Sequence, residues 1–451
     1  MNTHKKYLLL LLTIIFAYNF TDRVALGIVA QNIKVDLALS DSKLGFLSGI
    51  AFALFYAVMG IPMALWADRG NRVTIIGLST ALWSAAVALC GMAGSFVQLV
   101  LIRIIVGIGE AGCVPAAHSL IADFFTRAQR PRAISVYMQG ASASLVIGYF
   151  VAGWLNQFFG WRSMFVLIGL PGLALAALAW FSLKEPRRSE VTTPAPPTED
   201  HLSMMDVFIT LWSQTTFRHL LFAFSFICFF GYGTLQWVPA YFVRNFGMKT
   251  GELGTWLALI FGLSGFVGTY WGGEWASRSA RNNERRQLNG MAVMTGLSGL
   301  FWAFAFLPDF APNQYWALGW LALSNGVAMT INGPTFAVIQ TLVPPRMRAM
   351  AVALVFLFIN LIGLGCGPWA VGALSDALRP WAGDASLRYA MVLFSPTALW
   401  GAWHLWRAGR AIELDLKVNE LEDAAPEPLI QQTANLKLVP QSGPKSERST
   451  P

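Results

Sequence analysis

The chain reads as an all-α membrane protein, with twelve transmembrane helices in two pseudo-symmetric six-helix bundles. Three observations point there. Of its 451 residues, 55% are hydrophobic and only 12% charged, about half the charged share of a soluble domain. Apolar runs of bilayer-crossing length recur along the chain, each about twenty residues. Basic residues gather on alternate connecting segments, the bias that sets membrane orientation. The spans must be helices, because in lipid every backbone amide has to find its partner within the span.

Helix one covers about residues 7–28 and carries Asn19, Asp22 and Arg23. Its lead is basic, and no small-residue cleavage site precedes Asn19, so it reads as a retained helix and not a signal peptide. A polar stretch from Gln31 to Lys43 precedes helix two, which ends near Trp66 at the tight basic turn Ala67-Asp-Arg-Gly-Asn-Arg72. Helix three follows to about Gly94, and a short uncharged link leads into helix four. The segment Thr126-Arg-Ala-Gln-Arg-Pro-Arg132 separates helix four from a small-residue helix five. Helix six runs over about residues 162–183. From Lys184 to Gln214 the chain turns polar and proline-rich, which marks a linker with a short interfacial helix near residues 202–212. Six more apolar runs centre near Phe226, Gly262, Thr295, Asn325, Phe358 and Leu393. After Arg410 the apolar runs stop, and a disordered tail is expected. The expected organisation is a bundle over 1–184, a cytoplasmic linker over 185–215, a second bundle over 216–410 and a cytoplasmic tail over 411–451.

Placing both termini in the cytoplasm collects most of the arginines there, including Arg69, Arg72, Arg127, Arg130, Arg132, Arg278, Arg285, Arg346 and Arg348. That is the positive-inside pattern. The halves also echo each other: Gln129-Arg-Pro-Arg-Ala133 returns as Pro345-Arg-Met-Arg-Ala349, each opening a helix full of small residues. Two like-oriented halves imply a twofold axis along the membrane normal and a site between them.

Helix four holds the densest chemistry, in Arg103-Ile-Ile-Val-Gly-Ile-Gly-Glu110-Ala-Gly-Cys-Val-Pro115. Positions seven apart differ by about 20° in azimuth and about 10 Å in height, so Arg103 and Glu110 share one face. Each costs at least ~2.5 kcal/mol if it faces lipid, so both must face protein or a wet cavity. Gly107, Gly109 and Gly112 let a neighbouring helix or a ligand approach the backbone. Helix one rises while helix four descends, so Asp22 and Arg103 lie at similar depth. Two readings stay open: a structural set of buried ion pairs, or a cavity-lining site whose acids carry protons.

Several classes are excluded. No Gly-Lys-Ser/Thr nucleotide loop is present, and the glycine-rich strings sit within apolar helices, which leaves no enzyme signature and no ATP-driven pump. The four cysteines lack metal-ligand spacing, so neither a metal nor a cofactor is expected. The net charge of +8 is scattered over short loops and forms no nucleic-acid patch.

The turn Asp68-Arg-Gly-Asn-Arg72 resembles the signature loop of the major facilitator superfamily, and Arg103 with Gly107, Gly109 and Ala111 resembles its helix-four motif. Within that superfamily, Asn19-Phe-Thr-Asp-Arg23, Gly109-Glu-Ala111 and Ser119-Leu-Ile-Ala-Asp-Phe-Phe125 look like the bacterial branch of the spinster transporters. The second half departs from the pattern. Ser277 stands where its loop would carry an acid, and Gly319 and Gly326 stand where counterparts of Arg103 and Glu110 would fall.

The resemblance implies a secondary transporter with alternating access, proton-coupled, monomeric, embedded in membrane lipids in a bacterial inner membrane. Its implied cargo is an amphipathic or anionic, lysolipid-like small molecule; the alternatives are symport of a water-soluble sugar acid or aromatic acid, and a non-transporting receptor. Glu110 and Asp22 are the expected proton-coupling acids. Arg103, Arg23, Asn19, Tyr232, Gln236, Trp237, Asn332 and Asn360 are the expected cargo contacts, with Arg103 as the direct counter-ion of a soluble anion. Asp68, Arg69, Arg72 and Arg348 are the expected gating residues, with Asp68 latching onto the start of helix eleven.

Overall fold

The computed structural model describes residues 3–126, 129–186, 204–279, 283–343 and 347–424. Among these the chain is helical throughout, with no strand. Nine spans are long and apolar enough to cross a membrane. Two of them, Arg132–Ser182 and Met350–Val418, are long enough to cross twice, and residues 314–342 supply the remaining crossing in two pieces, which gives the expected twelve.

In the first half, α1 (Thr3–Asp36) is continuous. The second crossing is α2 (Asp41–Ser48) and α3 (Ile50–Arg69), broken at Gly49, where a Cβ would come within 2.2 Å of the Gly365 carbonyl. α4 (Arg72–Cys90) starts on an Asn71 cap, whose side chain accepts from the Thr74 amide, and α5 (Phe96–Glu110) on a Ser95 cap accepting from Gln98. Such caps satisfy amides that the first turn leaves without partners. α6 (Cys113–Phe124) completes the fourth crossing. α7 (Arg130–Ser182) crosses twice, and its reversal is made by Gly160 at φ 76°, a conformation that favours glycine.

α8 (Met204–Ser213) is the short helix expected in the linker. It buries Leu211 against the second half and exposes Met205 and Ile209. The seventh crossing is α9 (Thr215–Leu235) with α10 (Val238–Phe246). The eighth is α11 (Thr250–Leu259), a π-helical segment (Ile260–Ser264) and α12 (Gly265–Ser279). Then come α13 (Glu284–Phe306), α14 (Gln314–Met329) with α15 (Asn332–Leu342), and α16 (Arg348–Phe358) with a second π-helical segment (Ile359–Cys366) and α17 (Gly367–Ala382). α18 (Ser386–Phe394) and α19 (Pro396–Ala424) are the last elements among the described residues. α19 stays helical to Ala424, past Arg410, where the sequence alone suggests irregular chain.

The crossings alternate, so the molecule has a terminal face, where α1 begins and α19 ends, and a distal face opposite. One apolar cluster belongs to the first bundle, from Leu8 to Leu183, and another to the second, from Leu211 to Ile412. A third cluster spans both halves and includes Ile33, Leu47, Trp237 and Val371. It lies toward the distal face. There α2 packs on α17, α7 on α11 and α1 on α10, whereas α6, α12, α15 and α16, nearer the terminal face, pack chiefly within their own halves. The distal seams are close enough to need small residues. A Cβ on Gly153 would stand 2.4 Å from the Thr250 carbonyl, and one on Gly45 2.3 Å from that of Pro368.

Candidate functional site

Where α1 passes α5, four ionisable residues meet inside the first bundle. Asp22 and Arg23 are neighbours on α1, yet they do not pair with each other. Arg103 donates from Nη1 to Asp22 Oδ2 at 2.6 Å, and Arg23 donates from Nη2 and Nε to Glu110 Oε2 at 2.5 and 3.2 Å. Two turns separate the α5 partners, and α1 meets both by offering adjacent side chains to different levels of the same face. The site sums to no net charge.

Burial differs among the four. The Asp22 and Glu110 side chains are 0% exposed and Arg103 is 2% exposed, while Arg23 is 13% exposed. Phe52 of α3 packs against both cations, its ring centroid 5.0 Å from the Arg103 guanidinium carbon and 4.5 Å from that of Arg23. Phe20 and Tyr56 complete an aromatic collar around Arg23, at 4.3 and 5.1 Å, the face-on geometry in which a cation is drawn to a ring. Arg103 is closed off, and of the two central cations Arg23 keeps the greater exposure.

Each acid keeps one oxygen without a protein donor, Asp22 Oδ1 and Glu110 Oε1, and both amide atoms of buried Asn19, one turn earlier on α1, are likewise unpartnered. Buried polar atoms left so cost about 1–3 kcal/mol each, which is characteristic of a site that water, a proton or a ligand completes. The helix-four glycines serve packing. Cβ atoms on Gly107, Gly109 and Gly112 would run into the Phe52 carbonyl, the Trp83 backbone and Ser79 Oγ, so they admit α3 and α4, not a ligand.

The second-half residues named from sequence divide. Tyr232 on α9 lies within electrostatic range of Arg23 and Tyr56. Gln236 packs on Gly27 of α1, one turn above Arg23. Trp237 does not line an open cavity. It is buried and donates from Nε1 to the Pro368 carbonyl at 2.9 Å, which makes it part of the distal seal. Asn332 is exposed and Asn360 half-buried, and each donates to the element just before its own, Asn332 to Met329 Sδ and Asn360 to the Phe356 carbonyl.

Of the gating residues, Asp68 and Arg69 end α3 at the terminal face, both exposed. The side chain of Arg348 and all of residues 344–346, toward which Asp68 is expected to reach, lie outside the described residues. Arg72 is a different matter. It is fully buried, donating to Glu185, to Asp123 Oδ2 at 2.5 Å and to the Ser119 carbonyl at 3.1 Å. These partners tie α4, α6 and the end of α7 together within the first half, so Arg72 does not bridge the bundles.

A latch between the halves that sequence reasoning missed sits at the distal face. Asp41 opens α2 and accepts from Arg244 of α10 through both oxygens, at 2.8 and 2.7 Å, from Lys34 at 2.5 Å and from Ser375 of α17 at 2.7 Å. In return, Asp376 of α17 accepts from the amides of Asp41 and Ser42 at 3.0 and 2.7 Å, a carboxylate at a helix N-terminus. From sequence, Asp41 belongs to an undistinguished polar stretch, with no spacing that marks its partners. Among the described residues no group of three His, Cys, Asp or Glu could hold a metal ion.

Residues 11–368 match the family described as the Major Facilitator Superfamily. The chain belongs to that superfamily. It is 32% identical over 406 residues, 90% of this chain and 92% of the relative, to an MFS-type efflux pump of Mycolicibacterium smegmatis. It is 25% identical to the hexuronate transporter of Bacillus subtilis, covering 84% of this chain and 90% of that one. Among solved structures it is similar to a bacterial homolog of the human lysosomal transporter spinster, in an inward-facing and unoccupied conformation. That match has a TM-score of 0.81 and 29% identity, over 92% of this chain and 99% of the other. This major facilitator protein is thus a multi-pass integral membrane transporter, similar in fold to the spinster homolog, and not an enzyme.

Proposed function

We propose that this major facilitator protein is a secondary transporter that moves an amphipathic or anionic small molecule by alternating access, coupled to protons at Glu110. The observation that carries the reading is the crossed pairing, in which the more exposed central cation, Arg23, is held by an acid with a spare oxygen. An anionic group of the cargo takes the place of Glu110 on the Arg23 guanidinium, inside the collar of Phe20, Phe52 and Tyr56. Glu110, released, takes a proton, and the site stays electrically balanced with both aboard. The Asp22–Arg103 pair holds α1 and α5 in register beneath, and Asp22 is the second acid able to exchange a proton. Asn19 and Tyr232 flank the cargo, and Asn332 and Asn360 meet it nearer the terminal face.

Residues 1–184 and 216–424 rock as two units about the central site, joined by the linker over 185–215. In this reading the terminal face is cytoplasmic, in a bacterial inner membrane, and the chain works as a monomer. The Asp41 latch closes the far side while cargo exchanges with the cytoplasm. Asp68 and Arg69, together with Arg348 at the start of α16, close the near side in the alternate state.

The aromatic collar suits an amphipathic, lysolipid-like anion. The likeness to the hexuronate transporter favours a second reading, a water-soluble sugar acid on the same arginine. A thermal-shift screen of the purified protein against lysolipids, sugar acids and aromatic acids, with hits carried into liposome flux, tests both. Substrate-dependent flux with inward protons is expected; absence of flux for every stabilising ligand would sink the transport reading of this site.

A further inference from the structure

On the flank of the second bundle, a groove of about 770 Å³ runs along the closely packed pair α13 and α19. It runs from Asn289 to Ala303 on one helix and from Trp406 to Ser395 on the other. At 1.5 Å per residue that is about 21 Å, longer than the ~15 Å of hydrocarbon in one leaflet. Missing side chains carve it. Ala292, Gly296 and Ala402 line its floor, and a Cβ on Gly296 would meet only Leu399 Cδ2, at an ordinary 3.7 Å.

The two ends differ in chemistry. Toward the distal face the lining is Leu300, Ala303 and Leu399, with Ser395, whose hydroxyl donates to the Val392 carbonyl. At the terminal face, the Arg410 guanidinium lies 3.9 Å from the ring centroid of Trp406, and exposed Arg285 and Arg286 stand one turn before Asn289. Glu413 engages Arg285 at 3.4 Å. Among the described residues neither Arg286 nor Arg410 is joined to an acid. Basic clusters over a slot between spanning helices are where anionic headgroups bind, and an indole at that level marks the membrane interface.

We propose that this groove is a binding site for one phospholipid with an anionic headgroup, its acyl chain against Gly296 and its phosphate between Arg286 and Arg410. A second copy of the chain fits poorly, because a twofold contact here would set two basic ends against each other. The site lies on the lipid-facing flank, away from the crossed ion pairs, and does not depend on what the cargo is.

The test is native mass spectrometry of the full chain, released from detergent after titration with dioleoylphosphatidylglycerol or dioleoylphosphatidylcholine. A single saturable phosphatidylglycerol adduct is expected, with phosphatidylcholine weaker. Arg286→Gln with Arg410→Gln weakens the phosphatidylglycerol adduct roughly thirtyfold. Gly296→Leu, which fills the floor, removes it. Should that variant not fold, Ala402→Leu fills the same floor from the other helix. Equal binding of the two lipids, or wild-type binding in the filled-groove variants, would overturn the proposal, the latter by showing charge adsorption at the surface alone.

Discussion

Arg23 and Glu110 are joined through a single carboxylate oxygen, Oε2, which receives both Nη2 at 2.5 Å and Nε at 3.2 Å. The second oxygen, Oε1, is buried without a donor. A permanent structural pair would gain from sharing both oxygens in the fork geometry that guanidinium and carboxylate favour, as Arg244 and Asp41 do at the distal face. Asp41 and Glu110 thus sit in different kinds of pairing, Asp41 committed through both oxygens and Glu110, like Asp22 beside it, with one oxygen in reserve.

The two central arginines are predicted to fail differently. Arg23→Gln should lower affinity for an anionic ligand by roughly ten- to a hundredfold, the worth of a charged hydrogen bond, and should lower the melting temperature as well, because Glu110 loses its partner while buried. Arg103→Gln should leave ligand affinity nearly unchanged but destabilise by the same route, leaving Asp22 buried and unpaired, a loss of about 3–5 kcal/mol. Asp22→Asn on that background should restore part of it. Ligand titration beside thermal melting of the four proteins checks this, and equal binding losses for both arginines would contradict it.

At the distal latch, Asp41→Asn removes the charge that Arg244 and Lys34 share and weakens three cross-half bonds. Breaking such a buried pair costs about 2–5 kcal/mol, a large shift for a two-state equilibrium. Spin labels on the distal ends of α2 and α10 should report a longer-distance population in the variant. A distribution identical to the parent's would show that the apolar seam alone holds the face shut.

The distal seam has its own test in Gly153, whose Cβ would stand 2.4 Å from the Thr250 carbonyl and 3.1 Å from Gly254. Gly153→Val forces α7 and α11 apart where backbone meets backbone. Cysteine-accessibility labelling at distal positions should rise in that variant. Unchanged labelling would mean that the seam yields elsewhere.

Arg72→Met should lower the melting temperature without moving the distances between the halves. The residue knits Glu185, Asp123 and Ser119 inside one bundle, so its loss strands acids within that bundle, Glu185 buried and Asp123 partly exposed. A shift in interbundle distances with unchanged melting would contradict this placement.

The four central residues were legible because charge inside an apolar run is costly and stands out, and helical rise put Asp22 and Arg103 at one depth. Their crossed partnership was not legible. Asp22 and Arg23 differ by only one residue, so whether Asp22 meets Arg103 or Arg23 does turns on the rotation of α1 against α5, which no periodicity fixes. Helix-four glycines signalled a close approach, yet could not say that Phe52, Trp83 and Ser79 would fill it. Asp41 escaped notice because acids are ordinary in polar connecting segments. Its importance comes from Arg244 and Ser375, which lie two hundred or more residues away in the chain.

The central claim is that Glu110 carries the coupling proton while Arg23 holds the cargo. Its most direct test is pH-driven uptake into proteoliposomes by Glu110→Gln, with the ligand found by thermal shift. Gln keeps the shape and can still accept from Arg23, but it cannot cycle a proton. Uphill accumulation driven by a pH gradient should vanish, while ligand binding and downhill exchange survive. Full proton-driven accumulation by the variant would contradict the account and pass the role to Asp22.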